Sequence, residues 1–164
     1  MFGFSHLISK TVIAAAALVL VSTGSAHAAT GPFTGLGGTW SGSGNITLAS
    51  GAKEQIRCKA TYNVSGAGSA LSLTLRCASA SYKFELQSEV ASNNGEVSGT
   101  WAELTNRVGG TIAGRATGTK IQVLVQGTVA AHLAVNTTEN KQSISIESPG
   151  SPMSLVQISL NKGN

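Results

Sequence analysis

The sequence predicts an all-β protein: a closed antiparallel up-and-down barrel of about ten strands, with a two-sheet β-sandwich as the alternative. Three observations carry this. Apolar residues recur at every second position through short segments separated by turn signals, the period of a strand with one buried face. No 3.6-residue period appears beyond residue 28. The only two cysteines, Cys58 and Cys77, fall opposite each other when the segments around them are folded into a hairpin whose register is chosen without reference to them.

Residues 1–28 are set aside first, because they have the composition of an export leader. Lys10 supplies a positive charge, Thr11 to Val21 is an apolar run, and Ala26-His27-Ala28 is a small-residue cleavage site. The run is too short to span a bilayer, which takes about 20 residues. The expected organisation is a cleaved signal peptide (1–28), a flexible lead-in bearing Gly and Pro (29–36), and one barrel domain (37–164). An exported chain meets an oxidising compartment, periplasmic or extracellular, where Cys58 and Cys77 form a disulfide.

The first strand, Gly37 to Leu48, turns Trp40, Gly42, Gly44, Ile46 and Leu48 inward. A three-residue turn about Gly51 sets its register to the second strand, placing Gly44 against Cys58 and Trp40 against Tyr62. The second strand alternates Ile56, Cys58, Ala60, Tyr62 and Val64 with polar residues. After Ser65–Ser69 the third alternates Leu71, Leu73, Leu75 and Cys77. Pairing these two about Gly66–Gly68 sets Val64 on Leu71, Tyr62 on Leu73, Ala60 on Leu75 and Cys58 on Cys77.

A loop at 78–81 leads to Tyr82, Phe84, Leu86, Ser88 and Val90, inward on the fourth strand, with Lys83, Glu85 and Glu89 outside. Asn93-Asn94-Gly95 suits a type I′ hairpin, since Asn and Gly tolerate positive φ. Val97, Gly99, Trp101 and Glu103 face inward on the fifth. The sixth carries Gly110, Ile112, Gly114 and Ala116, and the seventh, after Thr117-Gly118, Ile121, Val123 and Val125. Ala131, Leu133 and Val135 mark the eighth, Ile144 and Ile146 the ninth, and Val156, Ile158 and Leu160 the last. An even count lets first and last strands pair and close, which removes the edges an open sheet would expose. Five of the six aromatics beyond residue 28 (Trp40, Tyr62, Tyr82, Phe84, Trp101) share the inner face, so that face is the core. A lipid-facing barrel would put the apolar residues outside, where this chain has Arg57, Lys59, Lys83, Glu85 and Glu89.

Composition narrows the function. Eleven Lys and Arg, less Lys10 of the leader, stand against seven Glu and no Asp, a net charge of +3 beyond residue 28. The cations are scattered singly rather than clustered among aromatics, so no nucleic-acid partner is expected; loose association with acidic surfaces is. His132 is the one histidine beyond residue 28, no G-x-S-x-G occurs, and both cysteines are committed. The chain therefore reads as no enzyme, with no metal or cofactor. The glycine runs lack the lysine and helix of a phosphate loop. Three Asn-x-Ser/Thr tripeptides, at Asn45, Asn63 and Asn136, read as chance.

Glu103 is the one inward charge. Following the expected pairings from strand to strand, Trp40 on Tyr62, Tyr62 on Leu73, Leu73 on Leu86 and Leu86 on Glu103, places Trp40, Tyr62 and Glu103 near one barrel end, two aromatics and a carboxylate lining a mouth. Trp40, Tyr62, Trp101 and Glu103 are thus the candidate site for a small, mostly apolar ligand. The competing reading of Glu103 is a rim carboxylate, solvated or paired with Arg107.

Gly38-Thr39-Trp40, echoed by Gly99-Thr100-Trp101, resembles the G-x-W opening of the calycin group of lipocalin- and avidin-type barrels. The resemblance covers that tripeptide and the meander, carries over Trp40 alone, and implies ligand capture inside the barrel. Met153 to Leu160 lacks the arginine that lipocalin-type chains place over that tryptophan, and the chain lacks the Asp and the several tryptophans of avidin-type biotin sites. Small exported bacterial protease inhibitors also have a G-x-W barrel with one disulfide. They imply the alternative, a protein-interaction module acting through loops and an ordered 29–36 segment near one rim.

Overall fold

The structure, a computed structural model, describes residues 30–164; the expected signal peptide lies outside the described residues. Ten strands follow in order: β1 Gly38–Leu48, β2 Lys53–Ser65, β3 Ala70–Ala78, β4 Lys83–Asn93, β5 Glu96–Glu103, β6 Val108–Thr117, β7 Lys120–Gly127, β8 Ala131–Thr138, β9 Lys141–Glu147 and β10 Met153–Lys162. Each pairs antiparallel with its sequence neighbour, and β1 pairs with β10, closing the barrel rather than forming two packed sheets.

Side-chain parity is as the alternation requires. Trp40, Ile46, Ile56, Ala60, Tyr62, Leu75, Trp101, Ile144, Ile158 and Leu160 are buried in one continuous core, while Arg57, Lys59, Arg76 and Lys83 are exposed. The β2–β3 register is the expected one, with Cys58 opposite Cys77 and the two sulfurs bonded at 2.09 Å. Asn94 (φ 50°) and Gly95 (φ 82°) form the two-residue connection of β4 and β5, the positive-φ pair of a type I′ turn.

Two registers differ from expectation, each by two residues. β1 pairs with β2 so that Trp40 faces Ala60 and Gly42 faces Cys58, in place of Trp40 on Tyr62 and Gly44 on Cys58. The connection is wider than three residues: Leu48 N–H donates to Ala52 O, and Gly51 N–H closes back on Leu48 O. The largest side chain of β1 thereby meets the smallest inward side chain of β2, a better fit than two rings abreast. On the other side of the hairpin, β3 pairs with β4 through Leu75 on Leu86 and Leu73 on Ser88. Tyr82 is drawn into a four-residue loop by its amide bond to Ser79 Oγ and by Ser79 N–H on its own carbonyl. Slips of two keep every side chain on its face, so parity survives them.

The disulfide closes a loop of about 20 residues in the unfolded chain, which raises stability by about 3 kcal/mol. The double variant Cys58→Ser/Cys77→Ser is expected to keep its far-ultraviolet circular dichroism at 25 °C. Its urea-unfolding free energy is expected to fall by about 3 kcal/mol.

Candidate functional site

Connectivity fixes two barrel ends. One holds the start of β1, the β2–β3 and β4–β5 turns and the end of β10; the other holds the β1–β2, β3–β4 and β5–β6 turns. Trp40 and Tyr62 belong to the first end and Glu103 to the second, so the expected mouth of two aromatics and a carboxylate does not form. The reason is shear. Trp40, Ala60, Leu75, Leu86 and Glu103 do lie on one row of paired residues, but in a barrel of tilted strands such a row climbs from end to end.

Glu103 is a structural cap. One carboxylate oxygen accepts from the amides of Glu85 (3.1 Å) and Thr105 (3.0 Å), the other from the Asn106 amide (2.6 Å) and carboxamide (2.8 Å). Arg107, left with positive φ by the turn, is not the partner. Burial raises the carboxyl pKa, yet the bonds from Asn106, Thr105 and Glu85 together overcome it and hold the pKa at about 2.

The first end is closed by residues 30–37. In place of a loosely held lead-in, these residues form a plug, with Phe33 fully buried and Leu36 nearly so. The Gly31 amide donates to Ala67 O (2.9 Å) and the Phe33 amide to Gly68 O (3.0 Å). The approach demands glycine, since a Cβ on Gly31 would overlap the Gly68 carbonyl, and Gly68 itself has φ 89°. Trp40 Nε1 donates to Leu36 O (2.8 Å), and the Lys162 ammonium donates to Gly35 O (3.2 Å) while lying 5.5 Å from the Trp40 ring centroid. Tyr62 meets Trp40 edge-on, centroids 6.4 Å apart. Its hydroxyl donates to Gln142 Oε1 (2.7 Å), and Gln142 Nε2 donates to Thr137 Oγ1 (3.0 Å). Burial pushes the Tyr62 hydroxyl well above its ordinary pKa, so it stays a neutral donor.

Beneath the plug lies a cavity of about 60 Å³, walled by Phe33, Leu36, Tyr62, Leu73, Val90, Leu133 and Val135 among others. Ser88, also in its wall, is buried. Of the four candidate residues only Tyr62 reaches this space. Trp40 seals the plug, Glu103 caps the far turn, and Trp101 lies in the row of Gly110 and Gly127 with its indole N–H on Gln126 O (3.1 Å). Phe33 and Leu36 were out of reach of alternation because they precede the first strand; the apolar i, i+3 pair in a Gly/Pro segment was their one signal. His132 is exposed on the outer face opposite Glu147, and among the described residues no three His, Cys, Asp or Glu side chains converge.

The molecule is thus a closed ten-stranded antiparallel barrel, plugged at one end over a small apolar cavity. No family model matches the chain, and no curated protein does. Among solved structures, the crystal structure of Rv2717c from M. tuberculosis is similar, with a TM-score of 0.64 over 80% of this chain and 94% of that one, at 14% identity. At that identity the likeness is one of fold.

Two variants test the polar anchors. Glu103 is ionised at lower pH in the folded chain, about 2, than the usual 4.5 of a free carboxylate. Its contribution is therefore full above pH 4.5 and is lost as pH falls toward 2. Glu103→Gln is expected to lower stability by about 1–3 kcal/mol at pH 7 and to flatten the decline between pH 5 and 2 (about the span of the two pKa values) in thermal melts. Tyr62→Phe leaves the buried Gln142 carbonyl oxygen without its donor, and is expected to cost about 1–3 kcal/mol with no change of fold.

Proposed function

We propose that this chain is an exported, non-catalytic barrel that takes up a small, mostly apolar molecule in the cavity beneath its plug. The single observation behind this is the cavity itself: an otherwise packed core leaves unfilled the space between the plug and the strands, walled almost wholly by carbon. Apolar cavities of this kind stay dry and accept apolar guests. Ser88 offers one hydroxyl, so a guest with a single hydrogen-bonding group is matched best. Export, with a leader cleaved after Ala28, belongs to the same reading, and the Cys58–Cys77 disulfide agrees with it. So does the G-x-W likeness to calycin barrels, in which capture is internal.

Size limits the guest. About 60 Å³ holds only a very small molecule, whereas sites for larger ligands run to roughly 300 Å³ or more. A larger guest has to displace Phe33 and Leu36, which makes the 30–37 plug part of the binding device. The protein-interaction alternative needs that segment presented to a partner. It is ordered at one rim, as that alternative requires, but its two large apolar side chains point into the barrel.

Xenon and benzene are the probes. Pressurised xenon is expected to shift the methyl resonances of Leu73, Val90, Leu133 and Val135 in the native chain. Phe33→Ala, which enlarges the cavity at a cost of about 3–5 kcal/mol in stability, is expected to bind benzene where the native chain does not. Methyl resonances unmoved by either probe in both proteins would overturn the reading.

A further inference from the structure

The outer surface is divided in a way the cavity does not explain. β2 to β6 carry the charges expected of a solvated exterior, including Lys59, Arg76, Glu85, Glu89 and Arg115. Across the barrel, β1 and β8 carry no charged residue, β10 has only Lys162 at its end, and β9 only its terminal Lys141 and Glu147. A trough of about 680 Å³ runs over this face and onto β2 and β7, six strands in all, with Arg57 and Arg115 adjoining it.

Its floor follows two adjacent rows of paired residues. One runs Gln55, Asn45, Gln157, Ser145, Ala134, Gln122; the other runs Ser43, Ser159, Ser143, Asn136 and ends at Lys120. Adjacent members of a row are separated by the strand spacing of about 4.8 Å. The side chains are hydroxyls and carboxamides, each both donor and acceptor. Apart from Asn136, which accepts from Thr119, none makes a side-chain hydrogen bond within the described chain, and all but Ser145 are exposed.

We propose that this trough binds a neutral, extended oligosaccharide laid across the strands. A linear β-linked sugar chain presents hydroxyls, donor and acceptor alike, at a repeat close to the strand spacing. It also brings no charge for an uncharged floor to answer. An apolar partner would strand the floor's polar groups without hydrogen bonds, a basic one would find no counter-charge on the floor, and an acidic one would find only Lys120 there, with Arg57 and Arg115 adjoining the rows. Hydrogen bonds exchanged with water at an open surface give weak binding, so the expected Kd is millimolar.

The test is titration of the native, isotope-labelled chain with cellohexaose, followed by NMR. Shifts are expected on the side-chain carboxamides of Asn45, Gln55, Gln122, Asn136 and Gln157, with inward methyls unmoved. Ser143→Lys/Gln157→Lys is expected to bind about tenfold more weakly with an unchanged melting temperature, while Lys83→Ala, on the far side, binds as the native chain does. The proposal is overturned by unmoved carboxamides at the solubility limit of the sugar, or by shifts confined to the barrel interior. It is overturned equally if the same carboxamides shift with protein concentration alone, which would mark the face as a contact between copies. The cavity reading stands or falls separately, on the inward methyls.

Discussion

Pairing of β1 with β10 is the constraint from which the rest of the molecule follows. Nine consecutive hairpins would give a sheet with two unpaired edges and one apolar face still open to water. The tenth ladder, nine pairs from Trp40–Lys162 to Leu48–Met153, converts that face into an interior. It is also what brings the last strand beside the first residues of the barrel. Lys162 can then reach the Gly35 carbonyl and the face of Trp40, contacts between positions 127 residues apart for the former.

Closure leaves ends, and the two ends are solved differently. At the β5–β6 end a carboxylate gathers turn amides, which costs desolvation of Glu103 and is offset by four hydrogen bonds. At the other end the chain's own N-terminal approach is folded in, and an apolar side chain, Phe33, takes the place of water. The plug rests on a chain of dependencies: the Gly31–Gly68 approach sets its backbone, Trp40 holds its last carbonyl, and Tyr62 braces Trp40 from below while itself fixed by Gln142 and Thr137. A thread of hydrogen bonds, joined at its middle by the Trp40–Tyr62 ring contact, therefore runs from the plug through the first two strands to β8 and β9.

Which residues face inward was legible because burial has period two and little else in this chain competes with it. Register was less so. A slip of two residues leaves every side chain on its face and changes only which neighbour it meets, so alternation is blind to it. Turn geometry or a special pair has to decide, and at β2–β3 the register set about Gly66–Gly68 brought Cys58 onto Cys77. The slips at β1–β2 and β3–β4 run in opposite senses, so Trp40 still shares a row with Glu103 while Tyr62 moves off it, into the row of Leu73, Ser88 and Trp101. Height along the barrel axis was not legible at all. It depends on strand tilt, a property of the closed object that no pair of strands contains, and it is what separated Glu103 from the aromatics. The plug escaped for a related reason: its packing partners become neighbours only after closure.

Period-two alternation sorts residues into two sets, and the fold requires something of only one. The inner set has to fill a barrel of fixed girth, which it does except beneath the plug. The outer set needs only to be wet, and charged or uncharged residues serve that equally well on every strand. A barrel under no further demand would scatter its few charges around its whole girth. Here β1 and β8 have none, β9 and β10 keep theirs to the strand ends, and the hydroxyls and carboxamides between them fall into aligned rows. Neither closure, nor the disulfide, nor the cavity requires that segregation. The proposed oligosaccharide site supplies a reason for it, through a floor of repeating donors and acceptors.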